Sequence, residues 1–146
     1  MKFAAERLKN FDKINVQYPK ILDIPFTSDT KTHITIHRKP HSNGGLTLHM
    51  KGAPEKVWNV CSSIWVNGKI LPITPNSTRG FEKALDDFAR KGKRVLGCAI
   101  HQLRGEKYPD NYKFDLEKKN YPMVCYFTHC CFIRVGSIHV FGIDCS

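Results

Sequence analysis

Thr32-His33-Ile34-Thr35-Ile36-His37-Arg38 is followed, across a turn, by Leu46-Thr47-Leu48-His49-Met50 and then at once by Lys51-Gly52-Ala53-Pro54-Glu55. Both runs alternate with period two, the pattern of half-buried strands, and this puts Ile34 and Ile36 on one face. Ser42-Asn43-Gly44-Gly45 between them is turn chemistry, so the two runs predict a β-hairpin. Pro54 suits the first turn of a helix, and Glu55 suits its positive end. A hairpin that runs directly into a helix is therefore the nucleus of the expected fold.

The flanking sequence extends this pattern. Upstream, Ala4 to Phe11 has weak helical character, and Tyr18-Pro19 and Ile24-Pro25 favour extended backbone. Downstream, Val57, Val60 and Cys61 fall at helical spacing. Ser63-Ile64-Trp65-Val66, Asn67-Gly68 and Ile70-Leu71 then read as a second hairpin. The strongest helix follows. Thr74 is its expected N-cap, Pro75 its first residue and Gly92 its left-handed stop, with an apolar stripe of Phe81, Ala84, Leu85, Phe88 and Ala89. Arg94 to Ile100 reads as a strand, and Lys107 to Asn120, with Pro109, as a long loop. Paired antiparallel strands with interspersed helices indicate an α+β fold, an antiparallel sheet flanked by helices. Neither G-x-G-x-x-G nor G-x-x-x-x-G-K-[ST] occurs, which disfavours Rossmann and P-loop folds.

At 146 residues the chain has the length of one domain. Its 23 Lys and Arg against 13 Asp and Glu leave a net charge of +10, so an anionic partner is expected: nucleotide, nucleic acid or acidic lipid. Met1-Lys2-Phe3-Ala4-Ala5-Glu6-Arg7 carries no secretory leader pattern. Of six cysteines, Cys61 and Cys98 stand alone, while Cys125, Cys130, Cys131 and Cys145 crowd the last part of the chain. That distribution suits a reducing compartment better than a disulfide framework. Composition changes near Tyr121, beyond which the only charged residues are Arg134 and Asp144. Met123 to Ile143 is long enough to span a bilayer. Arg134, His129 and His139 oppose insertion, and the Val, Ile and Phe content favours strand. Cys125, His129, Cys130, Cys131, His139 and Cys145 are zinc-capable residue types, but their spacing fits no paired C-x-x-C pattern, so no metal site is expected.

Three segments carry the candidate chemistry. In Ile24-Pro25-Phe26-Thr27-Ser28-Asp29-Thr30-Lys31 an aromatic side chain precedes a lysine by five residues, a pairing suited to a base and a phosphate. In Met50-Lys51-Gly52-Ala53-Pro54-Glu55 a lysine closes a strand, and a glycine permits close approach to the backbone. Lys91-Gly92-Lys93-Arg94-Val95-Leu96-Gly97 is a basic knot between helix and strand. Taken singly, each segment also reads as ordinary surface: a core Phe with a solvated Lys, a strand-to-helix turn, and charges that complement a helix C-terminus.

Taken in order, the three segments resemble the nucleotide-binding (N) domain of P-type cation-transporting ATPases, nearest to the sodium/potassium and proton/potassium pump α-subunits. Further matching strings are His49-Met50-Lys51-Gly52-Ala53-Pro54-Glu55-Lys56-Val57, Cys61-Ser62 and Tyr112-Lys113-Phe114-Asp115. The resemblance covers about residues 1–122 and leaves 123–146 as an apolar, Cys-rich tail outside it. It implies an N-domain-like α+β fold, incomplete at its N-terminal side, and a cytoplasmic domain that binds ATP, with Mg-ATP the form used by an intact pump. By matching position, Phe26 is the aromatic that stacks on adenine and Lys31 the lysine at the pocket rim. Lys51 and Gly52 are the pair at the pocket floor, Arg94 meets ribose and phosphate, and Leu96 lines the site.

The sequence departs from the family pattern in several places. An adenine-side glutamate of the family falls just upstream of Met1, and His33 stands where close relatives carry glutamine. The Asp-Pro-Pro-Arg hinge expected after Pro122 does not occur. The phosphorylation motif, actuator loop and membrane helices of a pump are also absent, so no catalytic residue is assigned. The competing readings are a basic nucleic-acid-binding module, disfavoured by the motifs, and a non-functional truncated product.

Overall fold

The computed structural model describes residues 11–39, 45–66, 69–109, 112–114, 129–134 and 140–141. Its elements, in chain order, are α1 (Phe11–Gln17), β1 (Lys20–Ile24), β2 (Thr32–Arg38), β3 (Leu46–Gly52), α2 (Pro54–Trp58), β4 (Ser63–Val66), β5 (Lys69–Pro72), α3 (Pro75–Arg90), β6 (Val95–Leu103), β7 (His129–Arg134) and β8 (Val140–Phe141). Six strands form one sheet in the order β1-β2-β3-β6-β7-β8, and β4 and β5 form a separate ribbon. Every neighbouring pair is antiparallel, so the expected α+β architecture is the one observed.

The β2–β3 hairpin lies inside the sheet, whose two central strands are β3 and β6. Ile34 pairs with Met50 and Ile36 with Leu48. These four residues, with Leu46, Ala99 and Leu103, point into the core. Lys39 N–H donates to the Gly45 carbonyl at 3.0 Å and closes the hairpin. The expected turn residues Ser42, Asn43 and Gly44, like Asn67 and Gly68 of the second hairpin, lie outside the described residues.

Helix α2 lies against one face of this sheet, and α3 stacks on α2. Val57 and Trp58 of α2 are buried, and Trp58 stacks on Phe81 of α3 with ring centroids 4.3 Å apart and planes within 3°. Gly97 makes that cover possible. A Cβ there would stand 2.9 Å from the Val57 Cβ and 3.1 Å from the Pro54 Cα, so only glycine lets α2 lie this close to β6. The opposite face carries His33, Thr35, His37, Thr47, His49 and Lys51, and among the described helices only α1 borders it, near His37 and His49.

Helix α3 begins and ends as its sequence predicts. The Thr74 side chain accepts from Ser77 N–H at 3.2 Å, and the Ser77 hydroxyl oxygen accepts from Thr74 N–H at 2.7 Å, a reciprocal capping box. At the other end Gly92 takes φ +63°. Gly92 N–H donates to Ala89 and Lys93 N–H to Phe88, both at 2.9 Å, which closes the helix as a Schellman motif. Of the expected stripe Phe81 is buried, Ala84, Leu85 and Phe88 are half-buried, and Ala89 is exposed. Thr74→Ala is expected to cost about 1 kcal/mol, seen as a melting temperature lower by roughly 3 °C; an unchanged melting curve would show the cap to be dispensable.

The helical segment read over Ala4 to Phe11 lies almost wholly outside the described residues, and α1 is described from Phe11 to Gln17. Its end is set by the Tyr18-Pro19 pair, since the residue before proline is pushed out of the helical region. Beyond Pro122 the described residues are strands, as the Val, Ile and Phe content favours. Strand β7 pairs with β6 over six positions, from Val95 opposite Arg134 to Ile100 opposite His129, and extends the sheet. An unpaired β6 edge is a liability that a further strand removes, which accounts for strand-forming residues where the composition turns apolar. No helix among the described residues is long and apolar enough to cross a membrane.

Candidate functional site

One end of the sheet's uncovered face opens into a cleft of about 680 Å³ lined by Phe26, Ser28, Lys31, His33, Lys51, Gly52, Ala53, Val95 and Leu96. These residues come from the β1–β2 connection, the start of β2, the end of β3 and the start of β6. Five of the six residues singled out from sequence, Phe26, Lys31, Lys51, Gly52 and Leu96, line this one cavity. Arg94, the sixth, is exposed directly before Val95 and does not contribute to the lining.

The β1–β2 connection is built by short local bonds. Lys31 N–H donates to the Thr27 carbonyl at 2.8 Å, and Thr30 N–H donates to the Thr27 hydroxyl oxygen at 3.1 Å. The chain leaves this turn through Lys31 in the left-handed region, φ +53°, a conformation that costs a non-glycine residue about 1 kcal/mol or more. That twist aims the Lys31 carbonyl across the strand end, where it accepts from Ala53 N–H at 2.9 Å. The loop bearing Phe26 and Lys31 is thereby tied to the loop bearing Lys51 and Gly52.

Gly52 permits a close approach to the backbone, as its motif suggested, and the group that approaches is the Lys31 carbonyl. A Cβ at this position would lie 2.3 Å from the Lys31 carbonyl oxygen and 2.8 Å from the Thr32 Cα. The space in the Cβ direction of Gly52 is filled by the protein's own backbone. Its effect on the cleft is indirect: it lets the two walls meet.

The cleft combines an apolar lining with uncompensated positive charge. Phe26 is 59 % exposed, a large aromatic with one face unpacked. Ala53, Val95 and Leu96 add apolar surface beside it. Lys31 and Lys51 are both exposed, and neither ammonium has an ion-pair partner among the described residues. An aromatic shelf flanked by two free ammonium groups suits a ligand with a flat ring at one end and negative charge at the other.

Ser28, His33, Ala53 and Val95 also line the cleft but were not among the sequence candidates. His33 stands directly opposite Lys51 in the β2–β3 register, so the two share a face. His33 Nε2 lies 2.7 Å from Asp23 Oδ1, and Lys20 bonds the other oxygen of that carboxylate. Lys20 first, and His33 second, hold the Asp23 carboxyl below the ordinary carboxylate value. Because an ionised carboxylate only accepts, His33 donates through Nε2 and its ring is fixed in place. The period-two pattern put His33 on the outer face, but only the hairpin register set it opposite Lys51.

Comparison with known proteins places this geometry in context. Residues 1–138 match the family described as "P-type ATPase, cytoplasmic domain N". The chain is 36% identical over 120 residues to the sodium/potassium-transporting ATPase subunit alpha of Tetronarce californica, covering 82% of the chain and 11% of that protein. It is 33% identical over 139 residues to the potassium-transporting ATPase alpha chain 2 of Oryctolagus cuniculus, covering 94% and 12%. It is 37% identical over 110 residues to the sodium/potassium-transporting ATPase subunit alpha-2 of Bos taurus, covering 75% and 11%. The chain thus spans about a tenth of the length of the curated relatives it matches.

Proposed function

This chain belongs to the P-type ATPase cytoplasmic domain N family, and on that premise we propose that its cleft binds ATP as the nucleotide-holding part of a cation-transporting pump. The observation that carries this reading is the convergence of Phe26, Lys31, Lys51, Gly52 and Leu96, drawn from three separate stretches of sequence, on one cavity. Phe26 stacks on the adenine ring, while Lys31 and Lys51 supply positive charge to the polyphosphate side. Leu96 gives the base an apolar wall. Gly52 holds the two loops together. Arg94, exposed beside Val95, reaches toward ribose and phosphate from the mouth, where a guanidinium fork makes paired bonds to phosphate oxygens. In the assembled pump the ligand is Mg-ATP, the setting is the cytoplasmic side of a membrane, and the phosphorylated aspartate comes from outside this chain.

Calorimetric titration with adenosine, ADP and ATP at fixed salt tests this reading. A ring face does not distinguish nucleotides by phosphate number, so Phe26→Ala should weaken ATP and ADP about equally, by roughly 1–3 kcal/mol. Arg94→Ala should weaken ATP and ADP more than adenosine. Because Phe26 is mostly exposed, its loss should leave the melting temperature nearly unchanged. If the Phe26 variant binds like the parent, the proposed pocket is not the nucleotide site. If, in addition, the chain binds nucleic acid with affinity that falls steeply with salt and ignores ATP, the basic-module reading replaces it.

A further inference from the structure

The uncovered face of the sheet holds a second cleft, of about 420 Å³, at the end remote from Lys51. It lies between α1 with the residue that follows it and the outer face of β2, β3 and β6, and its polar lining includes His37, Lys39, Thr47, His49 and Gln102. Nothing in the nucleotide reading uses it. His37 and His49 sit on adjacent strands, two positions apart in the register and so diagonal neighbours, and both project from the outer face.

The spacing of the two rings is within the span that one ion bridges. The ring centroids are 5.4 Å apart with planes at 87°. An imidazole nitrogen bound to zinc lies about 2.0–2.1 Å from the metal, which puts each ring centroid about 3.2 Å from it; two rings at the tetrahedral angle then have centroids about 5.2 Å apart. His37 Nδ1 lies 3.0 Å from the Tyr18 carbonyl oxygen. A carbonyl only accepts, so Nδ1 carries the proton, and Nε2 of the neutral ring holds the free lone pair. A backbone carbonyl holding the far nitrogen of a histidine is the usual outer support of a metal-bound imidazole. His49 has no hydrogen-bond partner among the described residues.

We propose that His37 and His49 form a binding site for a divalent transition-metal ion in this second cleft, with His37 bound through Nε2 and water completing the coordination. Among the described residues no group of three or more His, Cys, Asp or Glu lies together, so the protein supplies two ligands and the affinity is moderate. The Lys39 ammonium lines the same cleft and opposes any cation held by charge alone. That selects ions with strong bonds to nitrogen, copper(II) ahead of zinc, and rejects magnesium and calcium.

Methyl NMR of the full chain with copper(II) chloride tests the site where it lies, apart from any binding by the cysteines near the C-terminus. Ile14 and Ile100 line the cleft, whereas Val57 is fully buried on the covered face. Substoichiometric copper should broaden the Ile14 and Ile100 methyl signals before those of Val57, and excess zinc should restore them while magnesium does not. His49→Gln should weaken copper binding at this site by at least about tenfold, the scale lost even when only an outer partner of a metal ligand is removed. The same spectra report whether the variant is folded. Equal broadening of all methyls in the parent protein, or unchanged Ile100 broadening in a folded His37→Gln/His49→Gln double variant, would overturn the proposal.

Discussion

Gly52→Ala should destabilise the protein by about 3 kcal/mol and lower its melting temperature by roughly 10 °C. The added methyl would meet the Lys31 carbonyl oxygen at 2.3 Å, and both neighbours it strikes within 2.8 Å are backbone atoms. A flexible side chain yields to such a contact by changing rotamer, but a carbonyl fixed at one end of a strand does not. Relief requires the Lys31 carbonyl to leave Ala53 N–H, which breaks the bond between the two cleft walls. Nucleotide affinity should therefore fall together with stability. Lys51→Ala is the contrasting substitution, because Lys51 is exposed and has no side-chain partner among the described residues. It should lower affinity and leave the melting temperature near that of the parent. A Gly52→Ala protein that melts like the parent but fails to bind would mean that the space at Gly52 belongs to the ligand after all.

Removal of the Phe81 ring should have a comparable effect on stability with a different functional signature. Phe81 is 4 % exposed and stacks on Trp58, itself 5 % exposed. Phe81→Ala leaves a void between α2 and α3 at an expected cost of about 3–5 kcal/mol, or roughly 10–15 °C in melting temperature. The void lies on the helix-covered face, whereas Lys51 and His33 stand on the other. Binding measured well below the melting point should accordingly stay close to parental. The two phenylalanines thus divide the work: Phe81→Ala should unfold the domain early without touching the ligand, and Phe26→Ala should weaken the ligand without touching the fold. A thermal melt and a titration on the same two variants separate these outcomes. Loss of both properties in both variants would show that the core and the cleft are one cooperative unit.

Much of this architecture follows from local sequence. Period-two alternation in Thr32–Arg38 and Leu46–Met50 requires two half-buried strands, and the short turn between them requires that they pair. Thr74, Pro75 and Gly92 mark the ends of α3 because capping and left-handed termination are satisfied by neighbours a few residues away. Phe26, Lys31, Lys51, Gly52 and Leu96 were legible as a set only through resemblance to a family, since each alone is an ordinary surface or turn residue. What tertiary structure decided is of another kind. The reason for Gly52 lies 21 residues earlier, in a carbonyl aimed by the left-handed twist of Lys31. The reason for Gly97 lies in a helix 40 residues before it. The pairing of β7 with β6 joins segments more than 25 residues apart, and no periodicity within either one names its partner. His33 and Lys51 face each other, and His37 meets His49, only because the hairpin register sets them so. Composition and spacing specify what a segment can become. Contacts between distant segments depend on register and close packing, and those are settled when the whole chain buries its core.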